Sequence, residues 1–173
     1  MFGSRVRLRP LRQDDRTLLY QWIIDRELVI LNAPYLPVSQ SDHEAWIDSM
    51  LVKRADVVLF VIEDSVTGCG IGTCQLLNIN CVHRNAELQI RIGNSSSQSK
   101  GLGTEAIELL INFGFKDLNL HRIYLHVFAT NERAVRAYKK CGFVTEGVLR
   151  QAAHIDGKFL DVLCMALLRT AHA

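Results

Sequence analysis

The sequence predicts a single domain spanning residues 1–173, of the α+β or mixed α/β class: one mixed, mostly antiparallel twisted sheet flanked by helices. Three observations predict it. Short β-branched or alternating segments recur along the chain. Helical periodicity appears between some of them. The early strands read as antiparallel neighbours, whereas a strand–helix–strand unit follows near residue 90. A length of 173 residues suits one domain with a full core.

The elements follow in order. Val6 and Leu8 alternate with Arg5, Arg7 and Arg9, giving a short first strand that Pro10 stops. Asp14 or Asp15 can cap a helix running to about Asp25, with Leu18, Leu19, Trp22 and Ile23 on one face. Residues 28–38 carry Pro34 and Pro37 and read as loop. Ser39 or Ser41 can cap a second helix with Ala45, Trp46, Met50 and Leu51 inward. Residues 57–62 are nearly all apolar, a buried strand. A turn at 64–68 leads to a second strand at 70–79, the two forming a hairpin.

After a polar connection, Ala86, Leu88, Ile90 and Ile92 alternate with Glu87, Gln89 and Arg91, a strand with two distinct faces. A glycine turn and a helix to about Asp117 follow, then a strand through Ile123, Leu125 and Val127. Residues 131–140 form a short helix with Gly142 at its C-terminal stop. Residues 144–149 and 159–168 read as the last two strands, with a turn at Asp156-Gly157.

Composition excludes several function classes. The net charge of +2 is spread along the chain, so no basic arm points to nucleic acid. No apolar run approaches the roughly 20 residues that span a bilayer, and the N-terminus lacks a secretory h-region. The expectation is a cytoplasmic protein without membrane or nucleic-acid partners. Five cysteines, without a C-x-x-C pair, argue against a disulfide framework or a zinc site. The histidines show no paired-ligand spacing, so no metal is expected.

The stretch Gln98-Ser99-Lys100-Gly101-Leu102-Gly103-Thr104 lies between a strand and a helix. Two glycines expose backbone N–H groups, and the helix start adds unpaired donors and a positive dipole end. Such a turn suits a phosphate or pyrophosphate, held by the N–H groups of these seven residues, with Lys100 as a candidate point charge. A P-loop is excluded, since no Lys-Ser or Lys-Thr follows the glycines. Gly101, Gly103 and Ala106 satisfy G-x-G-x-x-A, but the next strand ends at Phe128-Ala129-Thr130 without the carboxylate of a dinucleotide site.

A third pattern is a resemblance. Gln98, Gly101 and Gly103 resemble the acyl-CoA signature Q/R-x-x-G-x-G/A of the GCN5-related N-acetyltransferase (GNAT) family. Asn131, Tyr138 and the pair Gly142-Phe143 resemble that family's second signature. Residues 86–90, Glu146-Gly147 and Asp156-Gly157 look most like the branch of ribosomal-protein N-terminal and spermidine acetyltransferases. The resemblance implies the GNAT fold, acetyl-CoA as cofactor, and direct attack of a primary amine in a ternary complex. It also implies that Gln89, Ile90, Arg91 and Ile92 pair with the pantetheine arm as an added strand. A free N–H near Ile90 or Arg91 would then polarise the thioester carbonyl.

Asn131 and Tyr138 share a helix face, two turns apart. Asn131 is a candidate for the pantetheine amides and for the helix cap. Tyr138 is the candidate acid for the departing thiolate, since a phenol with a pKa near 10 stays protonated at neutral pH. Glu87 is the candidate base or amine anchor, with a water chain as the alternative base. A pair between Glu87 and Arg91 is its bland role. A covalent route through Cys141 would need a depressed thiol pKa and a base, and no histidine nearby in sequence supplies one. The acceptor is expected to meet the first two helices and their loop, where Asp25, Glu27, Asn32, Tyr35, Asp42 and Glu44 stand. A protein N-terminus or a polyamine leads; an amino sugar, an aminoglycoside, or a silent acyl-CoA-binding module are the alternatives. A homodimer is a further expectation.

Overall fold

The computed structural model describes residues 1–52, 55–93 and 97–169. Seven strands form one sheet: β1 Val6–Pro10, β2 Val58–Asp64, β3 Gly70–Asn80, β4 Asn85–Ile92, β5 Arg122–Phe128, β6 Val144–Ile155 and β7 Lys158–Leu168. Their spatial order is β1-β2-β3-β4-β5-β7-β6. Every pairing is antiparallel except that of β4 with β5. The helices are α1 Arg16–Ile24, α2 Arg26–Val29, α3 Gln40–Leu51, α4 Leu102–Lys116 and α5 Glu132–Lys140.

The main core lies between the sheet and α4. Leu102, Ala106, Ile107, Leu110 and Phe115 of that helix pack with Leu76, Leu88, Ile123, Leu125 and Met165. Each large apolar side chain buried this way contributes roughly 1.5–3 kcal/mol. A smaller cluster of Leu19, Trp22, Leu28 and Ile47 ties α1, α2 and α3 together. The ion network of β1 supports that lobe. Arg9 forks onto Asp15 at 2.7 and 2.8 Å and reaches Glu63 at 2.6 Å.

The one parallel pairing decides where a site can form. β4 and β5 are in register only over Asn85↔Arg122, Ala86↔Ile123 and Glu87↔Tyr124. Beyond Glu87 the strands part, so one edge of β4 is left without a strand neighbour. The β3–β4 register continues to Gly72↔Ile92. Gly93 N–H bonds Ile71 O at 2.9 Å, which marks a hydrogen-bonded pair of that ladder. In an antiparallel ladder the intervening residues turn their N–H and C=O the other way. Past the last bridge to β5, Ile90 and Ile92 therefore direct their backbone groups toward the opening.

Several sequence expectations shift. Asp15 stands at the N-cap of α1 without bonding it; its carboxylate accepts from Arg9 and from Arg12 N–H instead. The segment read as loop from residue 28 contains the end of α2, which Asp25 caps through the N–H groups of Glu27 and Leu28. Ser39 caps α3 as expected, accepting from Asp42 N–H. The inward face of α3 is His43 and Ile47, not Ala45, Trp46 and Leu51. Trp46 is 42% exposed because it borders a cavity rather than the core. β6 runs past residue 149 to Ile155, through a bulge between Leu149 and Ala153 where Gln151 takes φ +52°. It is an edge strand exposed on both faces, so no apolar alternation marks its length.

Candidate active site

Two cavities open where β4 and β5 part. The first, about 370 Å³, is lined by Ser99, Gly101, Gly103, Thr104, Asn131 and Arg133 among others. The second, about 580 Å³, is lined by Trp22, Asp42, His43, Trp46, Glu87 and His126 among others. Asn32, Ile90, Arg91 and Tyr138 belong to both. The two spaces thus share a wall at the tyrosine.

Backbone builds the first cavity. Gly101 takes φ +79°, a conformation that suits glycine, and stands at the N-cap of α4. No side chain caps that helix. Its first intrahelical bond here is Glu105 N–H to Gly101 O at 3.1 Å, so the N–H groups of Leu102, Gly103 and Thr104 have no intrahelical acceptor. Leu102 anchors the turn through a core side chain, 7% exposed.

Arg5 locks this turn from behind. Its guanidinium donates to Lys100 O at 2.9 Å, to Gly101 O at 3.4 Å and to Glu105 Oε2 at 3.0 Å. Burial would raise the Glu105 carboxyl. The Arg5 backbone and side chain, Ser4 and the Val6 backbone overcome it and hold the pKa down at about 2. The one acidic side chain in the first turn of α4 is thereby neutralised on the side away from the first cavity.

Gln98 and Arg133 close the rim. Gln98 Nε2 donates to Ile92 O at 3.3 Å, and Arg133 NH1 donates to Gln98 Oε1 at 2.6 Å. Lys100, a candidate point charge, lines neither cavity; its charge acts on Asp64. Asn131 caps α5 through Ala134 N–H at 3.2 Å, and its Nδ2 donates to Leu31 O at 3.3 Å. Its amide thus joins α5 to the segment after α2, with a second N–H left over on a side chain that lines the first cavity.

Tyr138 is placed by the end of α5. Phe143 N–H bonds Tyr138 O at 3.1 Å and Gly142 N–H bonds Lys139 O at 3.0 Å, a Schellman stop with Gly142 at φ +91°. The Phe143 ring meets the Tyr138 ring edge-on at 5.8 Å. Burial, helped by Cys141, pushes the Tyr138 phenol up to about 12. Its Oη has no hydrogen-bond partner among the described residues and borders both cavities. The thiol of Cys141 is raised by burial, then by Glu108, to about 12, and it contacts Thr104 O. Such a thiol is a poor nucleophile at neutral pH.

Side chains build the second cavity. Glu87 Oε2 accepts from Asn78 Nδ2 at 3.2 Å, and Glu87 Oε1 lies 3.2 Å from His126 Nδ1. Glu87 does not pair with Arg91. Asn78 reaches the carboxylate because the chain bulges between Leu77 and Asn80, with Asn78 at φ +52°. Gln75 and Gln89 bond across β3 and β4 at 3.0 Å. Opposite them, His43 contacts the rings of Tyr20 and Trp46. Burial, with the charge of Arg16, keeps the His43 pKa below its ordinary value, so the ring stays neutral. Arg91 is half-buried with no partner among the described residues, and burial lowers its pKa.

Residues 5–144 match the family model described as "Acetyltransferase (GNAT) domain". The chain belongs to the GNAT acetyltransferase family. It is an enzyme of that family's kind, an acetyl-CoA-dependent N-acetyltransferase whose acceptor is an amine. The spermidine N(1)-acetyltransferase of Escherichia coli K12 is 35% identical over 168 residues, covering 94% of this chain and 85% of that one. The enzyme of the same name from Vibrio cholerae is 42% identical over 113 residues, 65% of this chain and 64% of that one. A crystal structure of spermidine N-acetyltransferase from Vibrio cholerae in complex with CoA and spermine superposes with TM-score 0.89 at 33% identity, covering 96% of each chain. That protein has also been solved as a dodecamer, TM-score 0.81, with 96% of this chain and 95% of that one covered.

The residues present fit acetyl-CoA. An uncapped helix start behind a left-handed glycine presents donors to a diphosphate, and the open edge of β4 presents alternate peptide groups to an amide-bearing arm. Sequence reading missed His126, Asn78, Arg5 and Arg133. Only Asn78 carried a signal, a polar residue inside the apolar run Leu76-Leu77-Asn78-Ile79. The other three act through partners 35 to 100 residues away, so no local spacing reveals them.

Proposed function

We propose that this single domain, residues 1–173, acetylates a cationic primary amine of the polyamine kind, with a protein N-terminus as the related acceptor. The observation that carries the proposal is the shared wall of the two cavities: an acyl-donor space built of backbone N–H groups, an acceptor space holding carboxylates, and Tyr138 between them. Glu87 and Asp42 on the acceptor side suit a cation. The spermidine acetyltransferases among its relatives support the same acceptor.

Acetyl-CoA supplies a thioester, whose carbonyl is open to amine attack. The N–H groups of Ser99 to Thr104 hold the diphosphate end. Of the two candidates for the carbonyl, Ile90 has its N–H directed into the opening, and Arg91 has its N–H toward β3. Ile90 therefore aims a donor at the developing oxyanion. Tyr138 Oη holds a proton for the departing sulfur, and its raised pKa keeps that proton in place until a strong base forms beside it. Glu87 and Asp42 draw the incoming ammonium by their charge.

A second reading rests on Arg91. An unpaired guanidinium beside the acceptor repels a polycation and suits an acceptor that also carries an anion, such as an amino sugar on a nucleotide carrier. Thiol release with acetyl-CoA across polyamines, peptide N-termini, aminoglycosides and nucleotide-linked amino sugars, with mass detection of product, tests both. Turnover of spermidine at or above the other amines is the expected result. Turnover confined to nucleotide-linked amino sugars selects the second reading. Binding of acetyl-CoA without turnover of any amine leaves only a binding module.

The assembly we propose is at least a homodimer. Val144, Val148, Leu149 and Phe159 are 48–66% exposed along the β6–β7 edge of the sheet, apolar side chains on both faces that a second copy would cover. Light scattering on the purified chain checks it. A cytoplasmic location accords with the expected supply of acetyl-CoA, and no helix among the described residues is long and apolar enough to cross a membrane.

A further inference from the structure

Amine transfer needs a neutral nitrogen, and an aliphatic ammonium with a pKa near 10 holds its proton at neutral pH. Some group beside the acceptor must take that proton. Glu87 is poorly suited alone: both of its oxygens are already engaged, by Asn78 and by His126.

We propose that His126 is the catalytic base and that Glu87 is its positioning residue. The proposal rests on the amine-acetylating function above and holds for either acceptor. Glu87 of β4 is last paired with Tyr124 of β5, and His126 follows two residues on, where the strands have begun to part. The site of the pair is therefore the root of the opening. Nδ1 faces Glu87 Oε1 at 3.2 Å, which fixes Nδ1 as the protonated nitrogen and leaves Nε2 as a lone pair. Nε2 has no partner among the described residues, and the ring borders the acceptor cavity. Asn78 holds the far oxygen of Glu87, completing an Asn78–Glu87–His126 relay across three strands. The His126 side chain is 42% exposed and Glu87 16%, so the base is accessible while its orienting carboxylate is sheltered.

The groups facing the ring from each neighbouring element fit this role. Tyr124 of the same strand meets it edge-on at 5.9 Å, and Cys164 of β7 stands opposite in register. Across the cavity lie Asp42 and His43 of α3, Arg91 of β4 and Tyr138 of α5. Glu87 orients Nδ1–H and so aims the Nε2 lone pair away from itself.

The step balances. The ammonium gives one proton to Nε2, and the neutral nitrogen forms a bond to the thioester carbon. The C–S bond breaks, and sulfur leaves with the proton of Tyr138. The second proton of the nitrogen returns to the Tyr138 oxygen, and the imidazolium releases its own to solvent. The sum is an amide, a thiol and one proton.

The test is the pH dependence of kcat/KM for the best amine of the panel, on wild type, His126→Gln and Glu87→Gln, with KM for acetyl-CoA as control. Wild type is expected to show an acid limb, as protonation removes the base. His126→Gln is expected to lose about 100-fold at pH 7, to lose that limb, and to recover steeply toward pH 10 as the amine deprotonates unaided. Imidazole is expected to restore part of the rate to His126→Ala. Glu87→Gln is expected to lose less than His126→Gln and to retain an acid limb, since the base stays while the carboxylate that orients Nδ1–H is gone. Nitrogen chemical shifts of His126 read the tautomer, with Nε2 unprotonated in wild type and a mixture in Glu87→Gln. An unchanged profile in His126→Gln, or complete loss in Glu87→Gln with His126→Gln active, overturns the proposal. Failure of wild type to acetylate any amine overturns the functional reading itself, a separate result.

Discussion

The two cavities are built from different material. On the donor side the contacts come from peptide groups: three helix N–H groups behind Gly101, and the open edge of β4. On the acceptor side they come from side chains of β3, β4, β5, α1 and α3, held by one another: Asn78 on Glu87, Glu87 on His126, His43 against Tyr20 and Trp46. A backbone site recognises what every acyl-CoA has in common and tolerates change in its side chains. A side-chain site can be rewritten one residue at a time, which is how one fold accommodates many amines.

The contrast makes separable predictions. Tyr138 belongs to both sides, and its replacement gives the largest effect. Tyr138→Phe is expected to lower kcat about 100-fold while acetyl-CoA affinity by calorimetry is kept. Equal losses in both would make it a packing residue. Next comes Gly93→Ala, which strikes the acceptor side alone. Its Cβ would sit 2.1 Å from the Trp22 ring, a buried wall of that cavity. Overpacking of this kind costs about 1–3 kcal/mol. Displacing that ring from the cavity wall should also raise the amine KM roughly tenfold in steady-state kinetics, with acetyl-CoA KM nearly constant.

Arg5→Ala is the mirror experiment. It frees the carbonyls of Lys100 and Gly101 and uncovers the charge of Glu105 at the donor turn. Because Arg5 is half-exposed, the expected rise in acetyl-CoA KM is modest, about three- to tenfold, with the amine KM unmoved. A change in the amine KM instead would break the division of labour. The smallest effect is on stability. The Glu105 pKa of about 2 lies below that of an unfolded glutamate. Its contribution is therefore present above the unfolded value and lost as pH falls toward 2. Melting curves should show wild type above Glu105→Gln at pH 7, with the gap closing between about pH 5 and pH 2.

The same contrast explains what the sequence disclosed. The order of the strands, the glycine turn, the Ser39 cap and the Gly142 stop are local, and their residues declare them. The glycine turn that the sequence marks is therefore found in place, with Gly101 and Gly103 lining the first cavity. Glu87 was visible through the alternation of β4, but its partner was not, because His126 becomes a neighbour only through a parallel pairing across 39 positions. Trp46 was misread as core because an aromatic facing a cavity has the same periodicity as one facing a helix. Lys100 followed from charge near a phosphate turn, and it lines neither cavity.

The most direct test of the donor turn is an amide chemical-shift titration with free CoA. Large shifts are expected at Ser99, Gly101, Leu102, Gly103, Thr104 and Ile90, with Trp46 and His126 nearly still. Shifts centred on Trp46, His126 and Asp42, with the turn unmoved, would contradict it.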